Sequence, residues 1–200
     1  MPYFLSAYDP GVADAQDLQQ LRRHLAGSPS GGTRAGQTPA AVLVPFLPGP
    51  DGWYLLLTRR TDVLPNHRGE VAFPGGRLEP GETALQAALR EAHEELGIEP
   101  GEVEVLGSLP VVETNHSRFA ITPWVGVVDA GRRRRLEPNP GEVAEVIELP
   151  LGVLATPGSR RDQRFIRGRR LVASPAYDVG PTTVWGATAR ILSELLEAIR

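Results

Sequence analysis

Hydrophobic residues recur along this 200-residue chain with two different periods. Near the start, three leucines repeat at helical spacing and predict an amphipathic helix over residues 14–26. A Gly- and Ser-rich stretch, residues 27–36, follows this helix and is typical of a flexible linker. We therefore expect an N-terminal helical extension and linker over residues 1–36 and a main domain over residues 37–200.

The main domain alternates between short apolar runs and helical patterns. Two apolar runs flank a Pro- and Gly-rich turn and predict a hairpin, and Arg-rich residues around Gly168 predict a second one. Strands are predicted at 39–47, 53–58, 103–106, 120–128 and 143–149, a hairpin over 163–172, and helices at 83–96 and 183–199. This order predicts an α/β protein with a mixed sheet and helices on both faces.

The predicted helix 83–96 carries an unusual concentration of acidic residues. Glu91, Glu94 and Glu95 stand at positions i, i+3 and i+4, which places three carboxylates on one helix face. Like charges at this spacing destabilise a helix, and a divalent cation held by oxygen ligands would neutralise them. Acidic helix faces are also common on solvated surfaces, so the triplet alone leaves both interpretations open.

Residues around the triplet favour the metal site, with Mg²⁺ or Mn²⁺ as the ion. Gly76 ends a Phe-Pro-Gly-Gly run before the helix, where a glycine lets the backbone approach a ligand or expose a carbonyl. Arg90 can pair with Glu94 four residues later and with Glu82 in the preceding loop. An arginine held between carboxylates fixes their rotamers, as the residues behind metal ligands do.

Composition removes several classes of chemistry. The chain has no cysteine and no lysine, which excludes zinc–thiolate sites, thiol nucleophiles and Schiff-base chemistry. A net charge of −3 argues against a nucleic-acid partner. No apolar run approaches the roughly 20 residues of a membrane span, and no basic leader with a long apolar run is visible. We expect a soluble cytoplasmic protein.

Residues 76–98 resemble the Nudix box, Gx5Ex7REUxEExGU, at all of its constrained positions. The matching residues are Gly76, Glu82, Arg90, Glu91, Ala92, Glu94, Glu95, Gly97 and Ile98. The resemblance implies a Nudix α/β/α sandwich that hydrolyses a nucleoside diphosphate linked to another group, using Mg²⁺ or Mn²⁺. It also implies that the glutamates of the REUxEE run, with the carbonyl of the box glycine, ligate the metal.

The residues before the box resemble a second pattern, LLTxR[SA]x3Rx3Gx3FPGG, found in the coenzyme A pyrophosphatases of the Nudix superfamily. Two positions depart from it: Thr61 replaces Ser or Ala, and Pro65 replaces an Arg that Arg59 or Arg68 could substitute. Segments 139–146 and 185–192 also look like this subfamily. The substrate-binding candidates are Arg59, Arg60, His67, Arg68 and Phe73.

Several further residues could have either of two roles. Nudix enzymes commonly recruit a glutamate from outside the box as an extra metal ligand or general base, and we favour Glu145 over Glu142. Trp185 is expected in the core, and His93 is expected to have a structural role. The Arg clusters 132–135 and 160–170 are expected to be solvated, with phosphate recognition as the alternative.

The leading function implied by these resemblances is hydrolysis of coenzyme A or acyl-CoA to 3′,5′-ADP and (acyl-)4′-phosphopantetheine. An ADP-ribose or nucleotide-sugar pyrophosphatase is the alternative enzyme. A nucleotide-sensing module without turnover is disfavoured, because it would not need the intact acidic triplet and Arg90. The expected partner is a small nucleotide substrate, and a homodimer is left open.

Overall fold

The computed structural model describes residues 15–25, 34, 36–61, 69–114, 118–167 and 170–199. The helices are α1 (Ala15–Leu25), α2 (Ala84–Leu96), α3 (Leu151–Ala155) and α4 (Gly186–Ile199). The strands are β1 (Thr38–Gly49), β2 (Gly52–Arg60), β3 (Val71–Ala72), β4 (Gly75–Arg77), β5 (Val103–Ser108), β6 (Val112–Glu113), β7 (Phe119–Val128), β8 (Val143–Pro150), β9 (Arg160–Arg167), β10 (Arg170–Val179) and β11 (Thr182–Val184). Short 3₁₀ helices span Pro100–Glu102 and Ala130–Arg134.

Strands β1–β8 form one mixed sheet, which confirms the predicted sheet type. Its main order is β3-β2-β1-β7-β5, with β4 beside β1, β6 beside β7 and β8 beside β2. Strands β1 and β7 run parallel, whereas the predicted β1–β2 hairpin is antiparallel. The hairpin around Gly168 also forms, as β9 and β10 of a three-stranded sheet with β11, although Gly168 itself lies outside the described residues.

Helices cover both faces of the mixed sheet, so the structure is the predicted α/β/α sandwich. On one face, three buried alanines of α2 pack against Ala41 and Leu43 of β1. Val44 and Phe46, which alternate with them along β1, point into a second and larger core that includes residues of α1, α3 and α4. No helix in the described parts of the chain is long and apolar enough to cross a membrane.

The predicted N-terminal helix is present as α1 and packs into the larger core. Leu18, Leu21 and Leu25 are all buried, and α1 contacts α4 and β5. Most of the predicted linker, residues 26–33 and residue 35, lies outside the described residues. The domain boundary between residues 36 and 37 stays a prediction.

The C-terminal helix begins later than the sequence pattern predicts. Residues 182–184 form strand β11 on β10, and α4 starts only at Gly186. Gly186 has φ +69°, a left-handed conformation that cannot continue into a helix from the preceding residues. Trp185 lies at this junction and is 50% exposed, so its expected place in the core is wrong. Its side chain belongs to neither the buried face of the strand nor that of the helix.

Candidate active site

Helix α2, which carries the acidic triplet, is capped at both ends. The Thr83 hydroxyl accepts from Gln86 N at 3.3 Å, and Thr83 N donates to Gln86 Oε1 at 2.9 Å, which completes a capping box. Gly97 ends the helix with φ +69° and donates to the His93 carbonyl at 2.8 Å. Local sequence therefore sets where α2 begins and ends.

Arg90 lies among the acidic side chains and bonds three of them. Its Nε and Nη2 donate to the two oxygens of Glu82 at 2.9 and 3.2 Å. Its Nη1 donates to Glu91 Oε1 and to Glu94 Oε2, each at 3.0 Å. Hydrogen bonding to Arg90 lowers the pKa of Glu82. Arg90 thus holds the two carboxylates that the sequence assigned to it, and Glu91 as well.

Glu91 lies against the backbone of Gly76. A Cβ atom at residue 76 would stand 2.2 Å from Glu91 Oε1 and 2.5 Å from its Cδ, so a side chain there would displace the carboxylate. The Glu91 side chain is 15% exposed, and burial raises its pKa. The box glycine is therefore needed to let this carboxylate approach the strand.

Glu95 is the most buried of the triplet, with 2% of its surface exposed. Burial raises its pKa to about 7, although the nearby Arg60 opposes that shift. The Thr58 hydroxyl donates to Glu95 Oε2 at 3.3 Å. Arg60 Nε is buried and has no hydrogen-bond partner among the residues that the structure describes.

These groups fit a hard divalent cation in the kind of atoms they offer. Carboxylate oxygens and a backbone carbonyl are the ligands that Mg²⁺ and Mn²⁺ prefer. Within the described ranges, the structure does not itself draw three acidic or histidine side chains around one point. Arg90 instead neutralises Glu91 and Glu94. Glu91, Glu94 and Glu95, with the Gly76 carbonyl, are the residues that would hold the ion.

Two predicted site residues, Arg59 and Glu145, are paired with each other away from the triplet. Arg59 Nε donates to Glu145 Oε2 at 2.8 Å, and Arg59 Nη2 donates to Thr182 Oγ1 at 2.9 Å. Neighbouring residues of β2 point to opposite sheet faces, and Thr58 points to α2. Arg59 and Glu145 thus lie toward β11 on the other face, which does not support their predicted roles in substrate binding and catalysis.

The other candidates have mixed outcomes. Phe73 is 2% exposed and packs in the larger core, and its predicted contact with substrate stays a prediction. His67 and Arg68 lie outside the described residues, and their roles stay predictions. His93 bonds the exposed Glu99, with 3.1 Å between Nε2 and Oε1.

Comparison with known proteins agrees with this geometry. A model of the NUDIX domain matches residues 37–168. The chain is 41% identical over 162 residues to a Pectobacterium atrosepticum protein named "Uncharacterized Nudix hydrolase NudL", a match covering 80% of this chain and 81% of that protein. The crystal structure of RenU, a Nudix hydrolase from M. smegmatis, matches with TM-score 0.51 and 26% identity over 62% of this chain and 78% of that one. The chain belongs to the Nudix hydrolase family.

As a Nudix hydrolase, the protein is a pyrophosphohydrolase, and enzymes of this family generally use divalent metal ions. A bound ion neutralises the pyrophosphate and lowers the pKa of the attacking water. Hydrogen bonds within this chain hold the carboxylates in place. Arg90 bonds Glu82, Glu91 and Glu94, and Thr58 bonds Glu95. Positioning and electrostatics of this kind supply most of the catalysis in phosphoryl transfer.

Sequence reasoning misjudged two residues on or near helix α2. Arg132, expected in a solvated cluster, is 7% exposed; it donates to the Gly97 carbonyl and pairs with Glu102. Glu142, the less favoured glutamate, is a negative charge that raises the pKa of Glu91 and of Glu95. Hydrophobic periodicity does not predict the contacts of either residue, because those contacts depend on how the chain returns from β7 to β8.

Proposed function

We propose that this Nudix hydrolase cleaves the pyrophosphate bond of coenzyme A or acyl-CoA, giving 3′,5′-ADP and (acyl-)4′-phosphopantetheine, with Mg²⁺ or Mn²⁺ as the ion. The support is the coenzyme A pattern over residues 56–76, which departs from its usual form only at Thr61 and Pro65. The Thr61 hydroxyl donates to the Gly141 carbonyl at 3.2 Å, a bond that Ser would keep. This departure is therefore compatible with the pattern.

The position of Arg60, the arginine of that pattern, supports hydrolysis of a pyrophosphate. Its positive charge lowers the pKa of the buried Glu95, and its buried Nε has no hydrogen-bond partner among the described residues. A buried N–H left unpaired costs about 1–3 kcal/mol. A phosphate oxygen of the substrate supplies the missing acceptor, and arginine suits it through charge-assisted hydrogen bonds.

The catalytic roles follow from the contacts around α2. Glu91, Glu94 and Glu95 bind the metal with the Gly76 carbonyl, and Arg90 and Glu82 hold the first two in position. Glu142 replaces Glu145 as the assisting glutamate from outside the box. Its charge acts on two of the metal carboxylates, whereas Glu145 is paired with Arg59.

Recognition of the 3′-phosphate of coenzyme A needs a further cation. Arg59 is engaged by Glu145 and Thr182, so it is a poor candidate. Arg68 remains the candidate for this contact, and His67 the candidate for a contact with phosphate or base. The cytoplasmic location and the homodimer also stay predictions.

A substrate panel tests the proposal. Initial rates are measured with coenzyme A, acetyl-CoA, 3′-dephospho-coenzyme A, ADP-ribose and NADH, each with Mg²⁺ and with Mn²⁺. Arg–phosphate hydrogen bonds contribute roughly 1.5–3 kcal/mol, so kcat/KM for coenzyme A should exceed that for the dephospho compound by about ten- to a hundredfold. Equal rates for these two, with ADP-ribose cleaved faster than either, would overturn the coenzyme A assignment.

A further inference from the structure

The chain between β7 and β8, which we call the return segment (residues 129–142), clamps the C-terminal end of α2. The last carbonyls of a helix have no partner within the helix and must be satisfied from outside. Here the return segment supplies a donor to each of three consecutive carbonyls. The bonds run from Asn139 N to Glu95 O at 2.9 Å, from Glu137 N to Leu96 O at 3.0 Å, and from the Arg132 guanidinium to Gly97 O.

Asn139 is the residue of this clamp that bonds the backbone of a triplet glutamate. Its N–H holds the backbone of Glu95, and its carbonyl accepts from Glu142 N at 3.0 Å and from Val143 N at 2.8 Å. Its side-chain Oδ1 accepts from Gly141 N at 3.0 Å. Because the Gly141 amide can only donate, it fixes the oxygen of the Asn139 side chain and leaves the NH₂ group facing Glu142.

The NH₂ group of Asn139 completes a link to the Glu142 carboxylate. Asn139 Nδ2 donates to Glu142 Oε1 across 3.4 Å. The turn is tied to the end of β2, since Thr61 N donates to the Glu142 carbonyl at 3.0 Å and Thr61 Oγ1 to that of Gly141. One asparagine thus connects the backbone of a metal-site glutamate to the side chain of a second glutamate.

We propose that Asn139 is a positioning residue of the active site: its amide bonds the Glu142 carboxylate and so fixes its direction, while its backbone N–H bonds the carbonyl of Glu95. This inference rests on the proposed role of Glu142 but not on the coenzyme A assignment. The contacts of Asn139 with Gly141 and Glu95 fix both ends of the link. Loss of the NH₂ donor therefore frees the Glu142 carboxylate without releasing α2.

Asn139→Ser is the variant that isolates this donor. A serine hydroxyl can still accept from Gly141 N, as in turns capped by serine, but it cannot reach Glu142 as the amide does. We expect kcat, with whichever substrate of the panel is cleaved fastest, to fall about tenfold, the factor expected for one hydrogen bond to a charged group. The Mn²⁺ dissociation constant, measured by calorimetry without substrate, should rise.

A double-mutant cycle with Glu142→Gln decides whether Asn139 acts through Glu142. In the Glu142→Gln background, Asn139→Ser should change kcat and Mn²⁺ affinity by less than about twofold, because coupled residues are not additive. Arg132→Gln is the matched control, because it weakens the same clamp at Gly97 and should lower Tm. Its effects on kcat and on Mn²⁺ affinity should be independent of Glu142, so in the double variant the fold-changes of the two single variants should multiply.

The outcomes of these experiments test the positioning role of Asn139 separately from the coenzyme A assignment. Equal effects of Asn139→Ser in both backgrounds, or no effect in either, would overturn the positioning role. Unchanged Mn²⁺ affinity together with unchanged kcat in Glu142→Gln would overturn the proposed role of Glu142, on which this inference rests. Failure to cleave coenzyme A would overturn only the substrate assignment, since the Mn²⁺ cycle needs no substrate.

Discussion

Arg59 and Arg60 are consecutive residues of β2 that serve opposite faces of the sheet. Arg59 ties β2 to Glu145 of β8 and to Thr182 of β11. Arg60 acts on Glu95 of α2 and keeps a buried Nε without a partner among the described residues. Two adjacent guanidinium groups of equal charge therefore have different surroundings.

This pair provides a matched test of substrate binding. Arg60→Gln should lower kcat/KM for coenzyme A and for ADP-ribose alike by about ten- to a hundredfold, because it removes a charge-assisted contact with the shared pyrophosphate. Arg59→Gln makes the same change of charge one residue away and should lower Tm while leaving kcat/KM within a few-fold. Steady-state kinetics and thermal unfolding measure both. Equal losses of kcat/KM in the two variants would contradict the assignment.

Arg90→Lys tests whether Arg90 orients carboxylates or contacts substrate. Lysine keeps the charge but loses the planar fork that bonds Glu82 with two nitrogens. We expect kcat to fall by about one to two orders of magnitude, for the loss of charge-assisted bonds of roughly 1.5–3 kcal/mol, with substrate Kd nearly unchanged. A large rise in Kd with unchanged kcat at saturation would instead indicate direct contact with the substrate.

Gly76→Ala tests the close approach of Glu91 to the backbone. The added methyl group meets the end of a side chain, so the carboxylate should move while the fold persists. We expect weaker Mn²⁺ binding by calorimetry and a lower kcat, with little change in Tm. Gly101→Ala is the control, because a Cβ there meets nothing within 4 Å. A Gly76→Ala enzyme with normal Mn²⁺ affinity would show that Glu91 is not a ligand.

The raised pKa of Glu95 predicts how pH affects the metal-free protein. Burial raises this pKa from 4.5 to about 7, so the folded state holds a proton that the unfolded chain has already lost. This contribution to stability is complete below pH 4.5 and is lost as the pH rises through about 7. Metal binding needs the ionised carboxylate, so metal affinity should rise over the same pH interval.

Thermal unfolding with and without saturating Mg²⁺ measures this effect. The rise in Tm caused by Mg²⁺ should be larger near pH 8 than near pH 5.5, because proton and cation compete for the same carboxylate. In Glu95→Gln, this difference between the two pH values should shrink. An equal rise in Tm at both pH values in the unmodified protein would show that Glu95 does not titrate in this range.

The acidic triplet and Arg90 could be predicted from sequence because their geometry is local. Helical spacing alone places Glu91, Glu94 and Glu95 together, and a position four residues from Arg90 is within its reach. The choice between Glu142 and Glu145 could not be predicted, since it depends on a turn held by Asn139 and Thr61. Glu142 lies in that turn, whereas Glu145, three residues later in β8, pairs with Arg59.

The same limit explains the errors at residues 132 and 185. Arg132 belongs to an arginine run that is typical of a solvated turn, and only the tertiary fold places it on the end of α2. Trp185 has the large apolar side chain of a core residue, but the left-handed conformation of Gly186 beside it separates β11 from α4. Hydrophobic periodicity contains no information on either contact.

The most direct test is the rate at which coenzyme A is converted to 3′,5′-ADP and 4′-phosphopantetheine, followed by chromatography as Mn²⁺ is added. We predict that product forms only with the ion, stops in EDTA, and falls by orders of magnitude in Glu91→Gln, Glu94→Gln and Glu95→Gln while each variant remains folded. Cleavage that continues at the unmodified rate in EDTA, or in all three variants, would contradict a metal-dependent pyrophosphohydrolase built on α2.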